Sequence, residues 1–205
     1  MSDASHIVFI VDDDPDIRSS LLRALRIRGI EAQAFASAAE FLEHYDSEQI
    51  ACLILDQGMP DMTGLELQQH LKKKGWAIPI IFITGHGGIP ESVQAMKGGA
   101  IDFLEKPFRQ AELMECIQNA LSVASSMHAA NQTDRDLQER FSRLTPREKE
   151  IVNHMLSRPS EVSSKEIGRY LNISPRTVDN HRARILEKLG VGSVVELMSL
   201  ARNMG

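Results

Sequence analysis

Apolar positions along the chain fall into two regimes. Up to about residue 108, short continuous apolar runs alternate with amphipathic segments of helical period; beyond it only the helical period remains. Ile7–Val11 is an unbroken run rich in β-branched residues, the pattern of a strand buried on both faces. A short strand is expected near Glu31–Phe35, and further strands at Cys52–Leu55, Pro79–Ile83 and Ile101–Leu104. Between them the spacing predicts helices over Asp16 to Arg28, Ser37 to Tyr45, Leu65 to Lys74 and Glu91 to Lys97. Gly29 stops the first, and Ser37 with Glu40 three residues on forms a capping box for the second. Strand and helix thus alternate five times with short connections, which predicts a doubly wound, five-stranded, mostly parallel α/β sheet.

From Arg109 onward apolar residues recur at Leu113, Ile117, Ala120, Leu121, Ala124 and Met127. No Gly or Pro falls between Pro107 and Pro146. Two readings compete: one helix through to Phe141, or a break near Ser125-Ser126 followed by a polar linker at Asn131–Asp136. The missing helix breakers favour the continuous helix, which would hold two domains apart. A second module follows. Thr145, Pro146 and Glu148 form a helix start, and Ser163 or Ser164 starts a short helix. Asn172-Ile173 makes a tight turn, Ser174-Pro175 opens a longer helix to Lys188, and Ser193 caps a last one. A short helix, a tight turn and a longer Arg- and His-rich helix predict a small all-α helix-turn-helix domain.

Composition sharpens this division. Residues 1–125 carry 10 Lys+Arg and 18 Asp+Glu, a balance of −8; residues 126–205 carry 13 and 10, a balance of +3. An acidic first part and a basic second part suit different partners, and phosphate-backbone binding needs the basic one. No run approaches the ~20 apolar residues of a membrane span. The start of the chain lacks a basic segment followed by an apolar one, so a cytoplasmic protein with no membrane partner is expected. The two cysteines, Cys52 and Cys116, sit inside apolar patterns and read as buried and reduced.

The candidate chemistry lies at the strand ends. The first strand ends in Asp12 and Asp13, the third in Asp56, and the fourth in Thr84, while Lys106 follows the fifth. In an open parallel sheet these positions converge on the carboxyl edge, where ligands bind. Three crowded carboxylates repel, and hard oxygen donors suit magnesium. A hydroxyl and an ammonium complete a cradle for a phosphoryl group. No GxxxxGK[ST] loop is present, so the phosphoryl group is expected on the protein itself, with Asp56 as acceptor.

The segments VDDD at 11–14, LDQGMPDMTG at 55–64, ITGHG at 83–87 and FLEKPF at 103–108 make residues 6–121 resemble the receiver domain of two-component response regulators, a flavodoxin-like fold. LTPREKEIV, SSKEIGRYLNISPRTV and HRARILEKLGV make residues 144–201 resemble the LuxR-type DNA-binding domain. Together they resemble the FixJ/NarL family, closest to its FixJ branch. The resemblance implies a receiver at 1–122, an interdomain helix or linker at 123–142 and a DNA-binding domain at 143–205. It implies Asp56 as phosphoacceptor and Mg2+ as cofactor. Asp13 would bind the metal directly and Asp12 through water, alongside Asp56 and the backbone carbonyl of Gly58. Thr84 and Lys106 would meet phosphoryl oxygens, Lys106–Pro107 would be cis, and Phe103 would be the aromatic switch. At the DNA, Asp179, Asn180 and Ala183 would face bases, while Lys165, Arg176, Thr177, Arg184 and Lys188 would meet phosphates. The last helix, Ser193–Arg202, would be the dimer contact.

The implied function is a non-enzymatic response regulator. A sensor histidine kinase would phosphorylate it, a homodimer would form on phosphorylation and bind double-stranded DNA, and RNA polymerase would be a further partner. A metal-dependent phosphatase forming the same aspartyl phosphate is the rival class. Two departures from the receiver pattern, Gly58 and Gly88, bear on phosphoryl lifetime. The connection Ser157–Ser163 is longer than usual and lacks the family's glycine turn.

Overall fold

The computed structural model describes residues 6–85 and 89–202 of the 205-residue chain. The chain divides into two compact units, residues 1–129 and 130–205.

In the first unit, strands β1 (His6–Val11), β2 (Glu31–Phe35), β3 (Ile50–Asp56), β4 (Ile80–Thr84) and β5 (Asp102–Glu105) form one parallel sheet in the order β2-β1-β3-β4-β5. Helices α1 (Pro15–Ile27), α2 (Ala38–His44), α3 (Gly64–Lys73) and α4 (Ile89–Lys97) connect them, and α5 (Gln110–Ser142) follows. The doubly wound five-stranded sheet expected from the sequence is the one observed.

The strict two-residue period of the strands splits the core in two. Ile7, Phe9 and Val11 of β1 join Leu53, Leu55 and Phe82 on the face covered by α2, α3 and α4. Val8 and Ile10 join Cys52, Ile54, Ile81 and Ile83 on the opposite face, under Leu21 and Leu25 of α1 and Leu113, Ile117 and Ala120 of α5. Both cysteines are buried and free. Burial pushes each thiol up to about 12, and Asp102 at 3.1 Å from the Cys116 sulfur adds to that shift.

Local signals set the helix ends. The Asp14 carboxylate caps α1 by accepting from the amides of Asp16 and Ile17, with Pro15 at the first helical position. Ser37 caps α2, but Glu40 reaches back to the amide of Ala36 at 2.7 Å, one residue further than a capping box requires. Thr63 and Glu66 form a full capping box on α3 that the sequence reading missed. The stretch from Gln110 to Ser142 is one helix of 33 residues, so the polar segment Asn131–Asp136 is helical. No described helix is long and apolar enough to cross a membrane.

The second unit, beyond its share of α5, comprises α6 (Pro146–Ser157), α7 (Ser164–Leu171), α8 (Pro175–Leu189) and α9 (Val194–Arg202) around a core of Leu144, Ile151, Val152, Met155, Ile167, Val178, Ile185, Leu189 and Leu197. Between α7 and α8, Asn172 takes a left-handed conformation with φ of 55°. A Cβ on Gly168 would lie 2.7 Å from the carbonyl oxygen of Ile173, so the turn closes only over a glycine.

Candidate functional site

Strand register builds the first site. Val11 pairs with Leu55, so Asp12, the next residue, comes level with Asp56. Asp56 pairs with Ile83, which precedes Thr84; Thr84 pairs with Glu105, which precedes Lys106. The order β2-β1-β3 places the reversal of winding between β1 and β3, and the two carboxylates lie at their carboxyl ends, where such a sheet opens a crevice. The Lys106 backbone amide donates to the carbonyl of Thr84 at 2.7 Å, which ties the start of the β5–α5 loop to β4. The peptide between Lys106 and Pro107 is cis.

One ammonium serves two acids. Lys106 Nζ donates to Asp56 Oδ1 at 2.7 Å and to Asp12 Oδ2 at 2.9 Å. Asp12 is wholly buried and Asp56 nearly so, whereas a fifth of the Lys106 side chain is exposed. Burial pushes the Asp12 carboxyl above its ordinary value of 3.8; the Lys106 ammonium and the Asp14 amide oppose this, and the nearby Asp56 charge adds to it. Burial pushes Lys106 down, but its two carboxylate partners outweigh that and leave it above its ordinary 10.5. The remaining Asp56 oxygen, Oδ2, accepts from the Gly58 amide at 2.6 Å. Gly64, first residue of α3, packs directly beneath: a Cβ there would sit 2.5 Å from the Asp56 carbonyl oxygen and 2.9 Å from the Phe82 ring.

The other expected residues are placed unevenly around this centre. Thr84 is buried at the end of β4. Phe103 is half-buried on β5, with its ring centroid 6.3 Å from that of Phe82. Asp13 is exposed beside Asp12. A Cβ on Gly58 would lie 3.5 Å from Asp56 Oδ2, an ordinary van der Waals contact with the acid. Gly88 and its neighbours His86 and Gly87 lie outside the described residues, as do residues 1–5, where the absence of a signal segment was expected. Among the described residues no group of three His, Cys, Asp or Glu side chains gathers as a preformed metal site. The donor chemistry still fits magnesium. The donors are all hard oxygens, and one ammonium is shared by two buried carboxylates.

The second unit offers a helix face. Ser174 caps α8 by accepting from the amide of Thr177 at 3.1 Å, and the two hydroxyls lie 2.7 Å apart. Arg176, Asp179, Asn180, Ala183 and Arg184 are exposed on α8, Thr177 is half-buried, and Lys165 is exposed on α7. Lys188 departs from the expected phosphate contact. Its ammonium turns inward to Glu148 Oε2 at 2.6 Å, and Glu148 is buried. Burial pushes that carboxyl up, but Lys188 and the Thr145 cap prevail and hold it below its ordinary 4.5. An unpaired acid there would be costly, so Lys188 serves as the acid's internal partner.

Two features escaped the sequence reading. Arg18 Nη1 donates to the Asp12 carbonyl at 2.6 Å, tying α1 to the loop that carries the acids. Ser164, at the start of α7, hydrogen-bonds to Asp179 on α8. Neither partnership leaves a local periodic signal.

Two protein families match the chain. The response regulator receiver domain matches residues 8–118, and the luxR family of bacterial regulatory proteins matches residues 142–201. Among curated relatives, response regulator protein TodT of Pseudomonas putida is 37% identical over 204 residues, covering 100% of this chain and 88% of that protein. Transcriptional regulatory protein FixJ of Bradyrhizobium diazoefficiens is 35% identical over 205 residues, covering 100% and 98%. Among solved structures, the response regulator StyR is similar with a TM-score of 0.85 and 41% identity, over 98% of this chain and 100% of that one. Full-length FixJ from B. japonicum gives 0.57 and 34%, over 98% and 97%.

Proposed function

The chain belongs to the FixJ/NarL-type response regulators, a receiver domain followed by a LuxR-type DNA-binding domain, and from that premise we propose that Asp56 is its phosphoacceptor and that phosphorylation there governs DNA binding by α8. The family makes the protein a two-component transcription regulator, with a sensor kinase and DNA as partners. The observation that carries the finer reading is the single Lys106 ammonium held between Asp56 and Asp12.

An Asp56 carboxylate oxygen attacks the phosphorus of a phosphohistidine. The P–O bond forms as the P–N bond breaks, and the imidazole nitrogen leaves with the electron pair and takes up a proton. Lys106, already at Asp56, pairs with the oxygens of the arriving group, and Thr84 donates its hydroxyl to another. Asp12, Asp13, Asp56 and the Gly58 carbonyl would hold a magnesium ion, which neutralises charge on the transferred group when bound. Thr84 then draws toward the phosphoryl group and Phe103 turns inward. The face built by α4, β5 and α5 is thereby remodelled for dimerisation, and the exposed Val93 and Met96 on α4 supply apolar surface for it.

Residues 1–122 act as receiver, 123–142 as the connecting helix and 143–205 as the DNA-binding domain. Arg176, Thr177, Arg184 and Lys165 meet backbone phosphates, and Asp179, Asn180 and Ala183 face bases. Helix α9 contributes the dimer contact on DNA, where two linked modules bind two half-sites more tightly than one, and RNA polymerase is the downstream partner.

The test is sedimentation and DNA binding of the full chain with and without a small acyl phosphate and magnesium. Wild type is expected to associate and gain DNA affinity, while Asp56→Asn does neither. Equal behaviour of the two would remove phosphorylation from the mechanism. Many turnovers of the donor would support a phosphatase instead.

A further inference from the structure

Asp179 is an exposed acid on α8, and its carboxylate is held by a partner. Ser164, in the first turn of α7, donates its hydroxyl to Asp179 Oδ1. The same hydroxyl accepts from Arg182 Nη1 at 3.0 Å, and Arg182 Nη1 also lies 3.3 Å from the carbonyl oxygen of Val162. The hydrogen bonds therefore run in one direction, from Arg182 to Ser164 to Asp179, across the α7–α8 junction. The order is forced: a guanidinium can only donate, so the serine accepts from it and gives its own proton to the carboxylate. Asp179 stays exposed, while Ser164 and Arg182 are half-buried. Asp179 Oδ2 accepts no hydrogen bond among the described residues.

We propose that Ser164 and Arg182 are positioning residues that orient the Asp179 carboxylate as an acceptor, selecting the exocyclic amine of a cytosine in the major groove. The proposal rests on the reading of α8 as the DNA-reading helix. A carboxylate at the DNA surface is repelled by phosphates, so it earns a place only by finding a donor. In the major groove, guanine presents acceptors at N7 and O6 and thymine one at O4, whereas cytosine presents its N4 amine. Adenine pairs its N6 donor with an N7 acceptor and suits a two-point amide such as that of Asn180. Held through Oδ1 by Ser164, the Asp179 carboxylate offers acceptors and no donor, which matches cytosine. The relay adds direction: the half-buried guanidinium keeps the serine proton pointed at Oδ1 and so holds the carboxylate in place.

The experiment is competitive selection from a randomised duplex pool by the full phosphodonor-treated chain. It is run for wild type, Ser164→Ala, Ser164→Thr and Asp179→Asn. Each variant's affinity for a fixed non-selected duplex and its helical circular dichroism are also measured. Wild type is expected to enrich a motif with a C·G pair at a position whose preference is lost in Asp179→Asn. Ser164→Ala should weaken preference at that position alone by about five-fold or more, the low end of one base-edge contact. Non-selected affinity should be unchanged, and Ser164→Thr, which keeps the hydroxyl, should restore the motif. An unaltered motif in Ser164→Ala or Asp179→Asn overturns the positioning role and leaves α8 as reader. Failure of wild type to enrich any motif overturns both.

Discussion

Replacing Lys106 by methionine removes the only cation bonded to the Asp12 and Asp56 carboxylates among the described residues while retaining most of the side chain's bulk. At 2.7 and 2.9 Å, each ion pair has a gross attraction of roughly 6 kcal/mol at an effective dielectric of about 20. Dehydration of three charged groups cancels much of that sum. Breaking a buried pair by removing one partner costs about 3–5 kcal/mol. The Lys106 side chain is 21% exposed, so solvent screens part of the pairing, and about 2–3 kcal/mol is the expected loss at pH 7. Trp76 is the only tryptophan and packs against the α2–α3–α4 core of the first unit. Urea unfolding followed by its fluorescence therefore reports the receiver separately. The pH dependence follows from Asp12. Its carboxyl is held above its ordinary value by burial, so the folded state favours the proton. The stabilisation that protonation brings is complete below pH 3.8 and is lost as pH rises through the folded value. Without Lys106 only the Asp14 amide still opposes this shift, and Asp12 takes up its proton at higher pH still. The deficit of the variant should then shrink as pH is lowered from 7 toward 4. A change below about 0.5 kcal/mol at pH 7, or a deficit that grows on acidification, would refute the shared-cation reasoning.

Three further outcomes are expected. Gly168→Ala, whose Cβ would lie 2.7 Å from the Ile173 carbonyl oxygen, should destabilise the second unit by about 1–3 kcal/mol; helical circular dichroism should detect this while Trp76 fluorescence stays unchanged. Glu148 is held below its ordinary 4.5, so its stabilisation is present above pH 4.5 and lost as pH falls through the folded value; Glu148→Gln should flatten that acid limb, seen by circular dichroism between pH 5 and 3. Thr145→Ala, which removes the α6 cap and part of the hydrogen bonding that holds Glu148, should cost about 1 kcal/mol in the same assay.

The fold was legible where the chain repeats a simple signal. The apolar runs of β1, β3 and β4 could be read as buried strands because both faces are covered. Caps such as Thr145 with Glu148 were equally plain, being local. The helical state of Asn131–Asp136 was balanced against a linker because polar composition argues for exposure and not against helix; lack of Gly and Pro was the better guide. What the sequence hid was pairing at a distance. Lys188 looked like a phosphate contact because its partner Glu148 lies 40 residues away and already had a local role in the cap. Ser164 read only as one of two alternative helix starts, since its bond to Asp179 exists only once α7 and α8 pack. Gly64 marked the start of α3, but its close approach to Asp56 depends on how the helix settles on β3.

The most direct measurement is to locate the phosphoryl group itself. The full chain is treated with a small acyl phosphate in the presence of magnesium, and the acid-stable reduction product is mapped by peptide mass spectrometry. A single modified residue at Asp56 is expected, absent in Asp56→Asn and strongly reduced when magnesium is chelated. Modification elsewhere in the wild type, or labelling that persists in Asp56→Asn, would contradict the assignment of the Lys106-bound acid as the switch.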